Sequence, residues 1–389
     1  MLTPFFSPNI GGVETHLNDL IEYLLKQRYK IWVVTYQPLT TPKVKGLFLE
    51  RKRNLIIYRL PWPKFNLFYR LEKKPLLQFL YLFLGIFIFS FFVLLKNFRE
   101  IRVIHGHGLA AAVATIFLAK LFRKKAIISL HTIYKFKENP KLARVVRPFL
   151  VASDHILILA KAGREDLISI GIPKEKVDFY SNWVDLRRVF RPANQEKARE
   201  KLNIPKERFI FLFVGRLGPE KGIKELIDTI ELLGDNERVF FLIVGDGPMA
   251  FLVEKLIKRL PRRVRWEGIV KYERLPLYFQ ASDFLIWAPV DQDYFGRVTM
   301  AALGCGLPVL LPTKTAYFGR WAKVKVNFPD GRIGYWIDPR PKETVRVIKK
   351  ILNESPTKFL KMRIEARKYA LKYFSESNAK IFKEVYEKN

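Results

Sequence analysis

The chain predicts an α/β protein built from two Rossmann-like parallel-sheet domains facing a cleft. Three observations carry that expectation. Apolar strand-like runs alternate with helical patterns through both halves of the sequence, and such alternation implies parallel sheets covered on both faces. Glycine turns follow several of these runs directly, at the strand ends where ligands of such sheets bind. The 389 residues suffice for two domains with separate cores.

In order, residues 13–26 form a helix pattern, with Val13, Leu17, Leu20, Ile21, Leu24 and Leu25 on one face. Residues 31–35 and 54–59 read as strands, 76–95 as an apolar helix and 103–105 as a strand. A small-residue helix at 110–120 leads to a strand at 126–130. The second half repeats the grammar. Strands are expected at 209–214, 239–244, 264–266, 284–287 and 308–311, with helices at 223–233, 251–260 and 296–305. The tail from 342 to 387 is helical with a break at Phe374-Ser375-Glu376. Arg191-Pro192-Ala193-Asn194 interrupts the pattern and marks the linker, near 188–195. The expected domains are therefore 1–190 and 191–372, with a last helix, 373–389, packing back on the first.

Charge is the strongest compositional signal. Lys and Arg number 69 against 37 Asp and Glu, a net charge of +32. Residues 43–147 hold 22 of the cations and only 4 of the acids. Such a block predicts an anionic partner: nucleic acid, acidic lipid or a phosphate-bearing substrate. A solvated, Lys-rich surface of a heat-adapted protein is the plainer alternative. No nucleic-acid motif accompanies Arg51-Lys52-Arg53 or Arg123-Lys124-Lys125, so nucleic acid is not expected. An anionic leaflet explains these cations as well. The run 76–95 points the same way, being broken only by Gln78, Gly85 and Ser90. Twenty such residues are long enough to span a bilayer. A crossing would separate strands expected in one sheet, so a helix lying in the membrane interface fits better; a buried helix is the third option. The single cysteine, Cys305, precludes an internal disulfide and suits a reducing compartment. No signal peptide is expected.

The glycine turns carry the chemistry. Gly11-Gly12 opens the first helix, where backbone N–H groups and the helix N-terminus favour an anion. In Phe209-Ile-Phe-Leu-Phe-Val-Gly-Arg-Leu-Gly-Pro-Glu-Lys-Gly222 a strand ends at Gly215, and Arg216 and Lys221 follow in one loop before a helix. Two cations with glycines for close backbone approach suit a diphosphate. In a transfer reaction they would stabilise charge on the leaving group. Gly245-Asp246-Gly247-Pro248 is another turn at a strand end, and the loop holding Asp291 and Asp293 runs into a helix at Gly296. Asp293 suits sugar hydroxyls, or simply a helix cap. His105, His107 and His131 do not complete a metal site: no Cys or carboxylate joins them, and the strand pair is read as pointing to opposite faces.

These motifs, together with Pro8-Asn9-Ile10-Gly11-Gly12-Val13-Glu14-Thr15-His16, His105-Gly106-His107, Leu130-His131, Ser181-Asn182-Trp183-Val184-Asp185 and Phe295-Gly296 through Gly306-Leu307-Pro308, resemble the family 4 retaining glycosyltransferases of GT-B fold, over nearly the full length. The opening segment is most similar to enzymes acting on phosphatidylinositol, its N-acetylglucosaminyl- and mannosyltransferases. The resemblance implies roles. Arg216 and Lys221 hold the donor diphosphate, His131 lies near the donor sugar and Asp293 contacts its hydroxyls. Gly11, Gly12, Gly215, Gly245, Gly268, Ile269, Tyr294, Phe295, Gly296 and Val298 line the donor, and Asn9 and His16 stand on the acceptor side. A UDP- or GDP-sugar is then a substrate, with no cofactor and no metal. The acceptor is lipid-linked, and the protein sits on the cytoplasmic face of a membrane as a peripheral protein. The alternatives are a soluble acceptor or a catalytically silent homologue.

Three departures stand out. The family's Glu-x7-Glu motif reads Asp293 and Ala301, so the carboxylate expected on the ribose is missing. A lost charge-assisted bond costs about 1.5–3 kcal/mol, roughly ten- to a hundred-fold in affinity. The first strand is cropped to Met1-Leu2, which implies either an upstream start or a short strand in the sheet. Ala160 stands where the family often has serine.

Overall fold

The computed structural model describes residues 1–41, 44–63, 67–71, 73–234, 236–286, 295–317, 320–323 and 325–388. Asp293 and Tyr294 therefore lie outside the described residues. The chain forms two compact units, Met1–Asn182 with Ser377–Asn389, and Trp183–Glu376. The boundary expected at 190/191 falls eight residues earlier. Val184, Leu186 and Phe190 are buried in the second unit's core, and the Val184 amide donates to the Phe374 carbonyl at 3.2 Å. The tail's return to the first unit begins at Ser377, not at 373.

The first unit runs α1 (Gly12–Lys26), β1 (Ile31–Tyr36), β2 (Leu49–Lys52), β3 (Leu55–Leu60), the short α2 (Leu67–Arg70), α3 (Pro75–Lys96) and β4 (Val103–His107). It continues with α4 (Leu109–Phe122), β5 (Lys125–Leu130), α5 (Pro140–Val151), β6 (His155–Leu159), α6 (Lys161–Ser169) and β7 (Val177–Tyr180). The strands line up as β2-β3-β1 and β4-β5-β6-β7, parallel except for β2 against β3. The segment Met1–Thr3 joins the two halves. Leu2 bridges Val34 of β1 and Gly106 of β4; its amide donates to the His105 carbonyl at 2.8 Å, and the His107 amide donates to the Leu2 carbonyl at 2.9 Å. Three residues thus fill a central position of the sheet. The small residues of α4 fit it closely to β4: a Cβ on Gly106 would meet Thr115 Oγ1 and the Ala111 carbonyl.

Helix α3 is not a buried helix. Only Tyr81, Gly85, Ile86, Ser90, Val93 and Leu94 are buried, and 28% of its most apolar window lies inside the protein. Nor does it separate strands across a membrane, because β3 and β4 on either side of it belong to the sheet that Leu2 bridges. The Tyr36 hydroxyl enters the helix ladder, donating to the Leu82 carbonyl at 2.9 Å and accepting from the Ile86 amide at 3.0 Å. Gly85 makes the room, since a Cβ there would meet Tyr36 Oη at 2.8 Å and the Trp62 ring at 2.7 Å.

The second unit contains α7 (Gln195–Leu202), β8 (Phe209–Val214), α8 (Ile223–Leu232), β9 (Val239–Val244), α9 (Ala250–Arg259), β10 (Val264–Trp266), α10 (Leu275–Ala281) and β11 (Phe284–Leu285). After these come α11 (Arg297–Gly304), β12 (Val309–Pro312), β13 (Lys314–Tyr317), β14 (Arg320–Lys323), β15 (Gly334–Ile337), α12 (Pro341–Ile351) and α13 (Pro356–Tyr373). Its parallel sheet has the order β10-β9-β8-β11-β12-β15. Apolar clusters cover both faces, as expected of strands made of continuous Phe, Ile, Leu and Val. β13 and β14 form an antiparallel hairpin outside that sheet.

Candidate functional site

Three glycines named from the sequence meet at the carboxyl ends of three adjacent strands in the second unit. Gly215 follows β8, Gly245 follows β9 and Gly268 follows β10. The Gly245 amide donates to the Gly268 carbonyl at 2.7 Å, and the Gly215 amide to the Val244 carbonyl at 3.0 Å. Gly245 has φ +126°, and a Cβ there would collide with the Gly215 carbonyl. The loop after β8 is tied to the one after β9: the Leu217 amide donates to the Asp246 carbonyl at 3.0 Å and the Met249 amide to the Leu217 carbonyl at 2.9 Å. A one-turn 3-10 helix, Pro219–Lys221, then leads through Gly222 (φ +67°) into α8. Arg216 and Lys221 are both exposed on this braced loop, and Ile269 stands 60% exposed beyond Gly268.

Helix α11 begins after Gly296, whose backbone is extended with φ −65° and ψ 151°. Phe295 is buried and Val298 half-buried. Ala301 is 4% exposed in the core, so nothing at that position offers a carboxylate. Arg297 is anchored, its Nη1 donating to the Trp183 carbonyl at 2.6 Å.

In the first unit, Gly11 and Gly12 form the N-terminus of α1. Gly12 is open: a Cβ there would meet nothing within 4 Å. Gly11 lies under the Glu14 carboxylate, whose pKa burial raises. Asn9 is buried and fully used. Its Oδ1 accepts from Thr40 N at 3.1 Å, Thr40 Oγ1 at 2.9 Å and Thr41 N at 3.1 Å, and its Nδ2 donates to Glu14. Asn9 thus braces the turn against the loop after β1. Glu14 was not singled out from the sequence; with glycine at the N-cap the Ser/Thr of a capping box is missing, and only its acidic place in the helix's first turn could have pointed to it.

The half-buried His131 joins one cluster with the buried His16, His105, His107 and Tyr180. The reading that His105 and His107 face opposite ways is corrected here. Residues i and i+2 of a strand share a face, and the two ring centroids are 4.0 Å apart. Both ring nitrogens of His131 are engaged, Nε2 with His107 Nδ1 at 3.1 Å and Nδ1 with the Tyr180 hydroxyl at 2.8 Å. His105 pairs with Ser129 Oγ at 2.8 Å and with the Tyr386 hydroxyl at 2.7 Å, the latter from the C-terminal helix Lys380–Glu387. His16 stacks on Tyr180 with centroids 5.2 Å apart. Burial holds His105 and His107 well below the usual imidazole range and pushes His131 down to about 4, so these three are neutral at pH 7. Among the described residues, no group of three or more His, Cys, Asp or Glu is arranged to hold a metal ion.

A parallel-sheet unit that presents glycine backbone and two cations at its strand ends, in a chain carrying a second parallel-sheet unit, fits the class of GT-B glycosyltransferases. Residues 10–188 match the family described as Glycosyltransferase Family 4, and residues 194–372 the one described as Glycosyl transferases group 1. The chain thus carries both glycosyltransferase domains, one in each half. The phosphatidylinositol N-acetylglucosaminyltransferase GPI3 subunit of Saccharomyces cerevisiae is 23% identical over 345 residues, covering 83% of this chain and 72% of its own. The phosphatidylinositol N-acetylglucosaminyltransferase of Arabidopsis thaliana has a subunit that is 25% identical over 365 residues, 92% of this chain and 74% of its own. Among solved structures, Anabaena Alr3699/HepE in complex with UDP-glucose superposes with a TM-score of 0.71 at 18% identity, over 100% of this chain and 99% of that one.

Proposed function

We propose that the protein is a retaining, metal-independent glycosyltransferase that moves a sugar from a UDP- or GDP-sugar to a lipid-linked acceptor of the phosphatidylinositol type. The observation that carries this reading is the braced loop after β8, with Arg216 and Lys221 exposed beside Gly215, Gly245 and Gly268. The similarity to phosphatidylinositol N-acetylglucosaminyltransferase subunits supports the acceptor class. A UDP-glucose complex of a protein with the same fold supports the donor class.

In this mechanism Arg216 and Lys221 bind the diphosphate and offset the charge that grows on it as the glycosidic bond breaks. They do the electrostatic work that a metal does elsewhere. Backbone at Gly268 and Ile269 meets the base, and Gly215 and Gly245 admit the phosphates. Phe295, Gly296 and Val298 bring the α11 N-terminus to the donor, and Asp293 and Tyr294 contact it as well. The acceptor oxygen attacks the anomeric carbon on the face that the leaving phosphate vacates. Its proton passes to a departing phosphate oxygen, so configuration is retained. Gly11 and Gly12 lie against donor phosphate and acceptor, and Asn9 holds their turn in place. His16 supports His131 beside the donor sugar. The protein works as a peripheral protein on the cytoplasmic face of an anionic membrane.

The test incubates purified protein with labelled UDP- and GDP-sugars, a phosphoinositide-containing lipid extract and EDTA, then partitions between organic solvent and water. Label in the organic phase is expected with one donor, undiminished by EDTA. The product bond should carry the donor's anomeric configuration by linkage-specific glycosidase digestion. Label confined to water-soluble saccharide would replace the lipid acceptor with a soluble one.

A further inference from the structure

We propose that the first unit docks on an anionic bilayer through a composite face of α3 and α4, with α3 lying along the membrane surface rather than across it. The proposal rests on the lipid-acceptor reading and adds which surface meets the lipid. Leu77, Leu84, Ile88, Phe92 and Leu95 are each 44–59% exposed. Their spacing of three, four or seven residues puts them on one stripe along nearly the whole of α3. Phe117 and Leu121 of α4, 49% and 62% exposed, widen it, and ring contacts make it continuous. Phe87 meets Phe117 at 6.3 Å, and Phe91 meets Phe122 at 5.5 Å between centroids. A contiguous exposed apolar face on this scale marks an interaction site.

Charge selects the occupant. The same ring pairs show that α3 and α4 run in the same direction, so their C-terminal ends coincide. There Lys96, Arg99, Lys120 and Arg123 are all exposed, and Lys73 and Lys74 stand before the other end of α3. From residue 73 to 124 the sequence has one acidic residue, Glu100, and it pairs with Lys30. An apolar face bordered by cations that no acid pairs among the described residues suits the acyl boundary and headgroups of an anionic leaflet. The inward face of α3 is fixed to the sheet by Tyr36, which a spanning helix would have to abandon.

The orientation serves the site. Helix α4 starts directly after the carboxyl end of β4, so the N-terminal ends of α3 and α4 lie at the ligand edge of the sheet. With the stripe in lipid, that edge meets the headgroup layer with Lys73 and Lys74 beside it.

The experiment is flotation of the full chain with pure phosphatidylcholine vesicles and with phosphatidylcholine–phosphatidylglycerol vesicles, at low and high salt. The parent is expected to float with the mixed vesicles and to lose affinity as salt rises. Ile88→Glu with Phe92→Glu should weaken flotation at least tenfold. Lys96→Glu or Arg123→Glu should weaken binding to the mixed vesicles about fivefold or more each. A dye on Leu84→Cys should shift to the blue on vesicles; the only native thiol, Cys305, is buried and its pKa is pushed up to about 12, so labelling is selective. An unshifted dye, or flotation unchanged by the stripe variants, overturns the proposal. So does a parent dimer by light scattering that the stripe variants dissolve, because the face would then cover a second copy. Transfer to detergent-dispersed acceptor separates the two readings: it persists in the stripe variant if docking alone is lost, and its absence in a parent that floats counts against the reaction and not the face.

Discussion

Gly245 shows how tightly the donor side is specified at the scale of single residues. Its φ of +126° is strained for any side chain, and a Cβ there would strike the Gly215 carbonyl. Gly245→Ala is expected to destabilise the protein by about 2–4 kcal/mol in urea unfolding, and unchanged stability would mean that the loop yields. Ala301 offers the opposite experiment. If the ribose lacks a carboxylate only because of this substitution, Ala301→Glu should tighten UDP or GDP about ten- to a hundred-fold by calorimetry. Unchanged affinity would place the ribose on other groups. Gly215 and Gly245 were legible in the sequence because each directly follows an apolar strand, whereas Gly268, separated from β10 by Glu267, came from the family resemblance alone. The histidine set was not, for two reasons. His105 and His107 were assigned to opposite faces of a strand whose period places them on one. Tyr180, which holds His131, ends a strand that the sequence pattern had not revealed.

At the scale of elements, most strands of the second unit were legible because their apolar runs are continuous, and β8, β9 and β10 fall where expected. β7 was hidden because its four residues include exposed and half-buried positions. The β13–β14 hairpin has no apolar run at all. Gly85 in α3 read as a flaw in an apolar run; it is the gap that admits Tyr36. Two strand-to-helix turns share one unusual backbone: Gly108 has φ 86° and ψ 165° before α4, and Ala160 has φ 64° and ψ 160° before α6. Only glycine adopts that region without strain. Ala160→Gly should therefore stabilise the protein. Relief of about 1–3 kcal/mol of strain exceeds the roughly 0.5–1 kcal/mol of extra unfolded-chain entropy. A lower melting temperature in that variant would show that the turn is unstrained.

For the whole molecule, the buried imidazoles set an acid limit. His105, His107 and His131 all have pKa values below the ordinary 6.5 because burial disfavours their charged form. Above about 6.5 they are neutral in both folded and unfolded chains and contribute nothing to pH dependence. As pH falls from 6.5 toward 4 the unfolded chain takes up protons that the folded set refuses, so stability is lost through that window. The loss at pH 5 should be on the order of a few kcal/mol, and a melting temperature flat from pH 7 to 5 would contradict it. The strand–helix alternation that implied two parallel-sheet units was read correctly. The boundary was set late because the Pro192 break is visible in sequence, whereas the packing of Val184, Leu186 and Phe190 is not.

The account turns on the loop after β8 holding the donor diphosphate, and titration calorimetry tests that most directly. UDP and GDP are titrated into the parent protein, Arg216→Ala and Lys221→Ala, with EDTA present. One nucleotide should bind the parent, and each variant should lose about ten- to a hundred-fold in affinity with its melting temperature unchanged, since both side chains are exposed. Binding equal to the parent's in both variants would contradict the assignment of the site.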